Sequence, residues 1–179
     1  MKKTMSLALA AVLLMTAGCG YSSRSLLPPD LTSVHVENFD NDIDPTRVSS
    51  DRRSSFSYRP GLEVDITRAV IDGFIFDRHL DIKSRKQADL LLEGQLKDFR
   101  LSPLSYDGSD NVTEYRAELI VDLQLYNNNT GELMWREAGF MGQANYSIDG
   151  PDAKSEAQAI NDAVKDLAQR IVERTVEAW

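Results

Sequence analysis

The chemistry open to this sequence starts with a single thiol. Cys19 is the chain's only cysteine and stands between two glycines in LMTAGCGYSS, residues 14–23. One cysteine builds no disulfide framework, and a free thiol is a liability in an oxidising compartment. His35 and His79 are far apart, without the neighbouring Cys or His that a metal site needs. Asp40, Asp42 and Asp44 alternate like the opening of an EF-hand loop. Pro45 stands where that loop requires glycine, however, and Asp51 where it requires glutamate, so a solvated acidic loop is the better account. Glu93, Glu114 and Glu118 could supply acid–base carboxylates, but nothing pairs them with an apolar pocket that would shift their pKa. Solvent-facing strand positions describe them better. There is no nucleophile elbow and no phosphate-cradling glycine loop. The expectation is a chain that is not an enzyme and takes no metal or cofactor. Of the cations, Lys97, Arg100, Arg116 and Arg136 fall on or near strands, and Arg47, Arg52, Arg53 and Arg59 cluster in a polar stretch. Arg forks suit phosphate, which makes the first four candidates for contact with a phosphorylated glycolipid. A mixed-charge surface is the plainer reading.

The residues before Cys19 say what happens to the thiol. Lys2 and Lys3 precede an unbroken apolar run, Leu7–Met15, which ends in the small residues Ala17 and Gly18. That order is an export signal. The run is about half of the roughly 20 residues that span a bilayer, and it has no polar face for a buried amphipathic helix. The stretch Thr16-Ala17-Gly18-Cys19 resembles the lipobox of bacterial lipoproteins, with Thr where Leu is usual. The resemblance implies cleavage of residues 1–18 and acylation of Cys19 by a diacylglyceryl group and an amide-linked, palmitate-type chain. Several acyl chains anchor stably where one is marginal. Gly20 is not the Asp that resembles an inner-membrane retention signal, so delivery to the outer membrane is expected.

Without residues 1–18 the chain carries 18 Lys and Arg against 28 Asp and Glu, a formal −10. That is a poor footprint for nucleic acid, which is held by basic surfaces. Apolar content of 42% is enough for one ordinary core.

The elements follow from periodicity. Residues 19–30 carry the acyl site and a short Ser/Pro tether, and 31–179 form one domain. Val34, Val36 and Phe39 give a brief strand with His35 on its other side. Residues 40–60 are a polar, flexible loop. Leu62, Ile66, Ala69, Val70, Gly73 and Phe74 keep helical spacing, with Gly73 suggesting close packing. Leu90, Leu92 and Leu96 share one strand parity, and Gly94 marks a bulge or a close approach. Residues 115–126 alternate apolar and polar over a dozen positions. NNNTGE is a hairpin turn, and a strand with Trp135, Phe140 and Tyr146 returns over about 133–148. A last helix opens at Pro151 and Asp152, with Ala157, Ile160, Val164, Leu167 and Ile171 as its stripe. The order βαβββα predicts an α+β two-layer sandwich: a mainly antiparallel or mixed sheet of about four strands with both helices on one face. The other face is left polar or free to meet a partner.

GCGY, VHVENFDN, YRPGLEVDITRAVIDGFI, ADLLLEGQLKDFRLSPLSYD, EYRAELIVDLQLYNNNTGELMW and the final amphipathic helix together resemble the LptE family, in order and over nearly all of the mature chain. The resemblance implies a small α+β lipoprotein that plugs the lumen of the outer-membrane barrel LptD. It also implies help in assembling that barrel, binding of lipopolysaccharide and its delivery to the outer leaflet, without catalysis. No basic residue is carried over by motif, and residues 43–57 look like an insertion relative to the family. ADLLLEG with TGELMW also resembles the LpoB-like activators of peptidoglycan synthases and the auxiliary lipoproteins of lipid-transporting ABC systems.

Overall fold

The computed structural model describes residues 27–43 and 60–177. Cys19 and most of the loop expected at 40–60 lie outside them. The described elements run β1 (Ser33–Val36), β2 (Asp40–Asn41), α1 (Leu62–Asp77), β3 (Asp81–Ile82), β4 (Leu90–Tyr106), β5 (Val112–Asn127), β6 (Glu132–Ser147) and α2 (Glu156–Glu177).

The strands form one mixed sheet in the order β3-β1-β4-β5-β6, with β2 also pairing β4. β1 runs parallel to β3 and β4, as a strand that crosses over through a helix must. β4, β5 and β6 are an antiparallel meander. The α+β sandwich expected from the pattern is the fold found, with six described strands rather than about four. The extra two, β2 and β3, are two residues each. No alternation can show in so short a run.

Both helices pack on one face, against each other and against the sheet. Leu90, Leu92 and Leu96 of β4 and Ala117, Leu119, Val121, Leu123 and Leu125 of β5 are fully buried there. α1 adds Leu62, Ile66, Val70 and Phe74, and α2 adds Ile160, Val164, Leu167 and Ile171. Ala157, expected in the α2 stripe, is exposed, and Ala159 and Ala163 are buried in its place. The helix also starts later than Pro151. Ser155 and Gln158 form a capping box: the Gln158 amide N–H donates to Ser155 Oγ (3.3 Å), and the Ser155 amide donates to Gln158 Oε1 (2.8 Å). Two first-turn donors are thereby satisfied, which sets the start at Glu156.

Two glycines hold the layers at their spacing. The Phe39 ring fills the position over Gly94, where a β-carbon would meet it at 2.2 Å, so Gly94 marks a close approach. The Phe39 N–H donates to Thr67 Oγ1 of α1 (2.9 Å), which pins the ring between helix and sheet. Toward the β6 edge of the sheet, the backbone of Leu167 lies directly over Gly142. Gly73 meets Val172 at the helix–helix contact, the tight packing its position suggested.

Candidate functional site

The face of the sheet away from the helices is where the sequence candidates assemble. Residues directly opposite one another in a ladder share a face, so the register alone locates them. Arg116 of β5 stands between Ser102 and Asn145, Glu118 between Arg100 and Gln143, and Gln124 between Glu93 and Arg136. These residues alternate with the buried ones, so they point away from the core. Lys97 joins them through a bulge. Leu96 pairs with Val121 and Asp98 with Ile120, which leaves Lys97 as the extra residue. The structure thus brings Lys97, Arg100, Arg116 and Arg136, spread over three strands, onto one surface.

That surface is mixed, with the pairs Ile120–Met141 and Tyr126–Leu133 among its polar residues, and its charges are internally matched. Lys97 forms an ion pair with Asp42 at the end of β2, and that carboxylate raises the lysine's pKa. Arg100 Nε donates to Asp98 (2.7 Å) and Arg116 Nε to Asn145 Oδ1 (3.0 Å). Arg136 has no side-chain partner among the described residues. Glu118 and Glu114 accept from Ser102 (3.2 Å) and Ser105 (3.1 Å), while Arg85 reaches both Glu37 and Glu93. These carboxylates are strand positions with structural partners, as the alternation suggested. His35 sits on the same face with Nδ1 against the Lys83 carbonyl (3.0 Å), and His79 pairs with Asp77 (2.8 Å). Asp40 lies in β2, so the first aspartate of the EF-hand-like run is strand rather than loop. Among the described residues no His, Cys, Asp and Glu group could hold a metal.

A groove lies at the outer edge, where β6 passes under the end of α2. This open groove of about 450 Å³ is lined by Glu137, Phe140, Met141, Arg170, Arg174 and Glu177, among others. Arg174 Nε donates to Glu137 (2.9 Å) and its guanidinium lies 4.7 Å from the Trp135 ring centroid. Arg170 is held by Asp166 (2.9 Å). Beside the groove, β6 carries a bulge at Gly139 (φ 69°), whose N–H donates to Asp122 on β5 (2.8 Å). The Gln143 N–H donates to Asp166 (2.9 Å). Both features blunt a long edge strand, and neither residue was singled out by pattern.

The most perturbed carboxylate lies elsewhere and is structural. Asp89, at the start of β4, is lowered to about 2. It accepts from Ser33 Oγ (2.6 Å), the Thr32 N–H (3.1 Å) and the Thr32 hydroxyl (3.3 Å). Asn129 of the β5–β6 turn also reaches it. Hydrogen bonds to its charged form outweigh the cost of burial. Asp89 fastens β1 to β4 and to that turn. Among the described residues no helix is long and apolar enough to cross a membrane.

Comparison with solved structures finds likenesses among distant chains. A Xanthomonas campestris protein aligns at TM-score 0.53 and 10% identity, covering 83% of this chain and 88% of that one. The PelC dodecamer protein from Paraburkholderia phytofirmans gives 0.45 and 12%, over 82% and 93%. The rare lipoprotein B from Shewanella oneidensis gives 0.42 and 16%, over 78% and 89%. At 10% identity the Xanthomonas campestris likeness shows the fold alone. No curated protein sequence matches. The family model described as LptE, lipopolysaccharide-assembly, matches residues 31–175, from just before β1 to the last turn of α2. With that match over nearly the whole described domain, the chain belongs to the LptE family of lipopolysaccharide-assembly proteins.

Proposed function

We propose that this protein is anchored in the outer membrane through acylated Cys19 and seats in the lumen of an LptD-type β-barrel. There it helps the barrel assemble, and it forms with it the passage that delivers lipopolysaccharide to the outer leaflet, without catalysing a reaction. The observation that carries this reading is the family match across residues 31–175. The sheet face left uncovered by the described residues supports it: barrel lumens are polar, and charges already held by neighbours lose less on leaving water than isolated ones. Arg136, unpartnered among the described residues, is the member of that face most available to a phosphate or to the barrel wall.

The test is a gentle detergent pull-down of the full-length, tagged protein from its native envelope, with mass spectrometry of what accompanies it. A large outer-membrane barrel at near one-to-one stoichiometry is expected. A peptidoglycan synthase or an ABC-transporter subunit in its place would overturn the assignment of partner.

A further inference from the structure

Two large apolar side chains at the end of α1 have no cover among the described residues. Phe76 is 89% exposed and Ile75 58%. They sit in the last helical turn, just before Arg78, whose left-handed backbone (φ 65°) and N–H to the Phe74 carbonyl stop the helix. The residues after the helix fix their place in the fold. Leu80, three residues after the helix, is buried in the core. The Asp81 N–H donates to the Thr32 carbonyl (2.9 Å), and Ser33 pairs with Asp81. The last turn of α1 therefore stands at the end of the domain where the chain arrives from its N-terminal side.

That arrival point is close to the anchor. Leu27 is eight peptide steps after Cys19, at most about 29 Å even at full extension. We propose that Ile75 and Phe76 are a lipid-contacting point, by which this end of the domain, projecting from the mouth of the barrel, rests on the same membrane that holds the acyl chains. The inference deepens the lipid-anchor reading above and rests on it. Size decides between occupants. An aromatic side chain buries about 150–250 Å², so the pair offers a few hundred at most, short of the roughly 500 Å² that each side of a specific protein interface contributes. A bilayer asks for much less, because the anchor has already restricted the domain's position and makes the contact intramolecular. Val64, the exposed apolar residue eleven positions earlier on α1, is about 16 Å up the helix and outside such a contact.

The experiment uses the full-length, processed protein in vesicles of phosphatidylethanolamine and phosphatidylglycerol bearing acyl-chain nitroxides. A fluorescent thiol label is placed at Phe76→Cys and, as the remote comparison, at Ser109→Cys in the β4–β5 turn. Acylated Cys19 takes no label, so the unsubstituted chain reports on the anchor separately. Nitroxide quenching about threefold stronger at position 76 than at 109 is expected if the side chain enters the headgroup–acyl boundary. Equal, weak quenching in a protein that floats with the vesicles would overturn the lipid contact and leave the anchor standing. A label at 76 that is shielded from water yet unquenched would also overturn it, since protein would then cover the patch. An unsubstituted chain that takes label and fails to float would remove the anchor, and the contact with it. Circular dichroism of each variant checks the fold.

Discussion

Leu167 of α2 lies so directly over Gly142 of β6 that a β-carbon on the glycine would stand 2.3 Å from the leucine Cβ and 2.7 Å from its backbone nitrogen. The obstacle includes backbone, so no rotamer change relieves it. Gly142→Ala must lift α2 from the sheet, at a cost of about 2–3 kcal/mol. Urea denaturation should show a lowered midpoint. Gly131→Ala, at a turn with φ 74° and open space around it, costs only about 1 kcal/mol.

The Phe39–Gly94 contact predicts a compensating pair. Gly94→Ala alone drives a methyl into the ring, and Phe39→Leu alone leaves a gap. The double variant should be more stable than the sum of the two, by about 1 kcal/mol or more of coupling. Additive losses in a thermal-unfolding cycle would mean that the ring is not what keeps position 94 bare.

Acid stability should depend on Asp89. Its folded pKa is lowered to about 2 from 3.8. The stabilisation it contributes is therefore fully present above pH 3.8 and lost as pH falls through 2. Asp89→Asn should lower stability at neutral pH and flatten the decline between pH 4 and 2 (about the two pKa values). Urea midpoints across that window measure both.

Charge reversal on the uncovered face should separate binding from folding. Arg116 and Arg136 project from the sheet away from the core, so Arg116→Glu with Arg136→Glu should change stability by no more than about 1 kcal/mol. Recovery of the barrel in the pull-down should fall about tenfold. Unchanged recovery would place the contact on another surface.

Cys19→Ser should leave an uncleaved or mislocalised precursor. Normal processing and membrane fractionation of that variant would exclude the lipobox.

Periodicity was enough to determine the helices, the long strands and the two-layer packing, because burial of one face imposes a repeat of 3.6 or 2 on the sequence itself. It also marked Gly73 for close packing and Gly94 for a close approach or a bulge, between which only the Phe39 ring decides. Some features carried no such repeat. β2 and β3 exist only through pairing with β4 and β1, and Gly142 matters only because Leu167, 25 positions later, lands on it. The capping box of Ser155 and Gln158 was legible in principle but masked by the stronger signal of Pro151. Lys97, Arg100, Arg116 and Arg136 were visible one by one, and a bulge at Lys97 together with the β4–β5–β6 register gathered them on one face. Which neighbour holds each charge is a fact of distance between strands, and sequence spacing does not carry it.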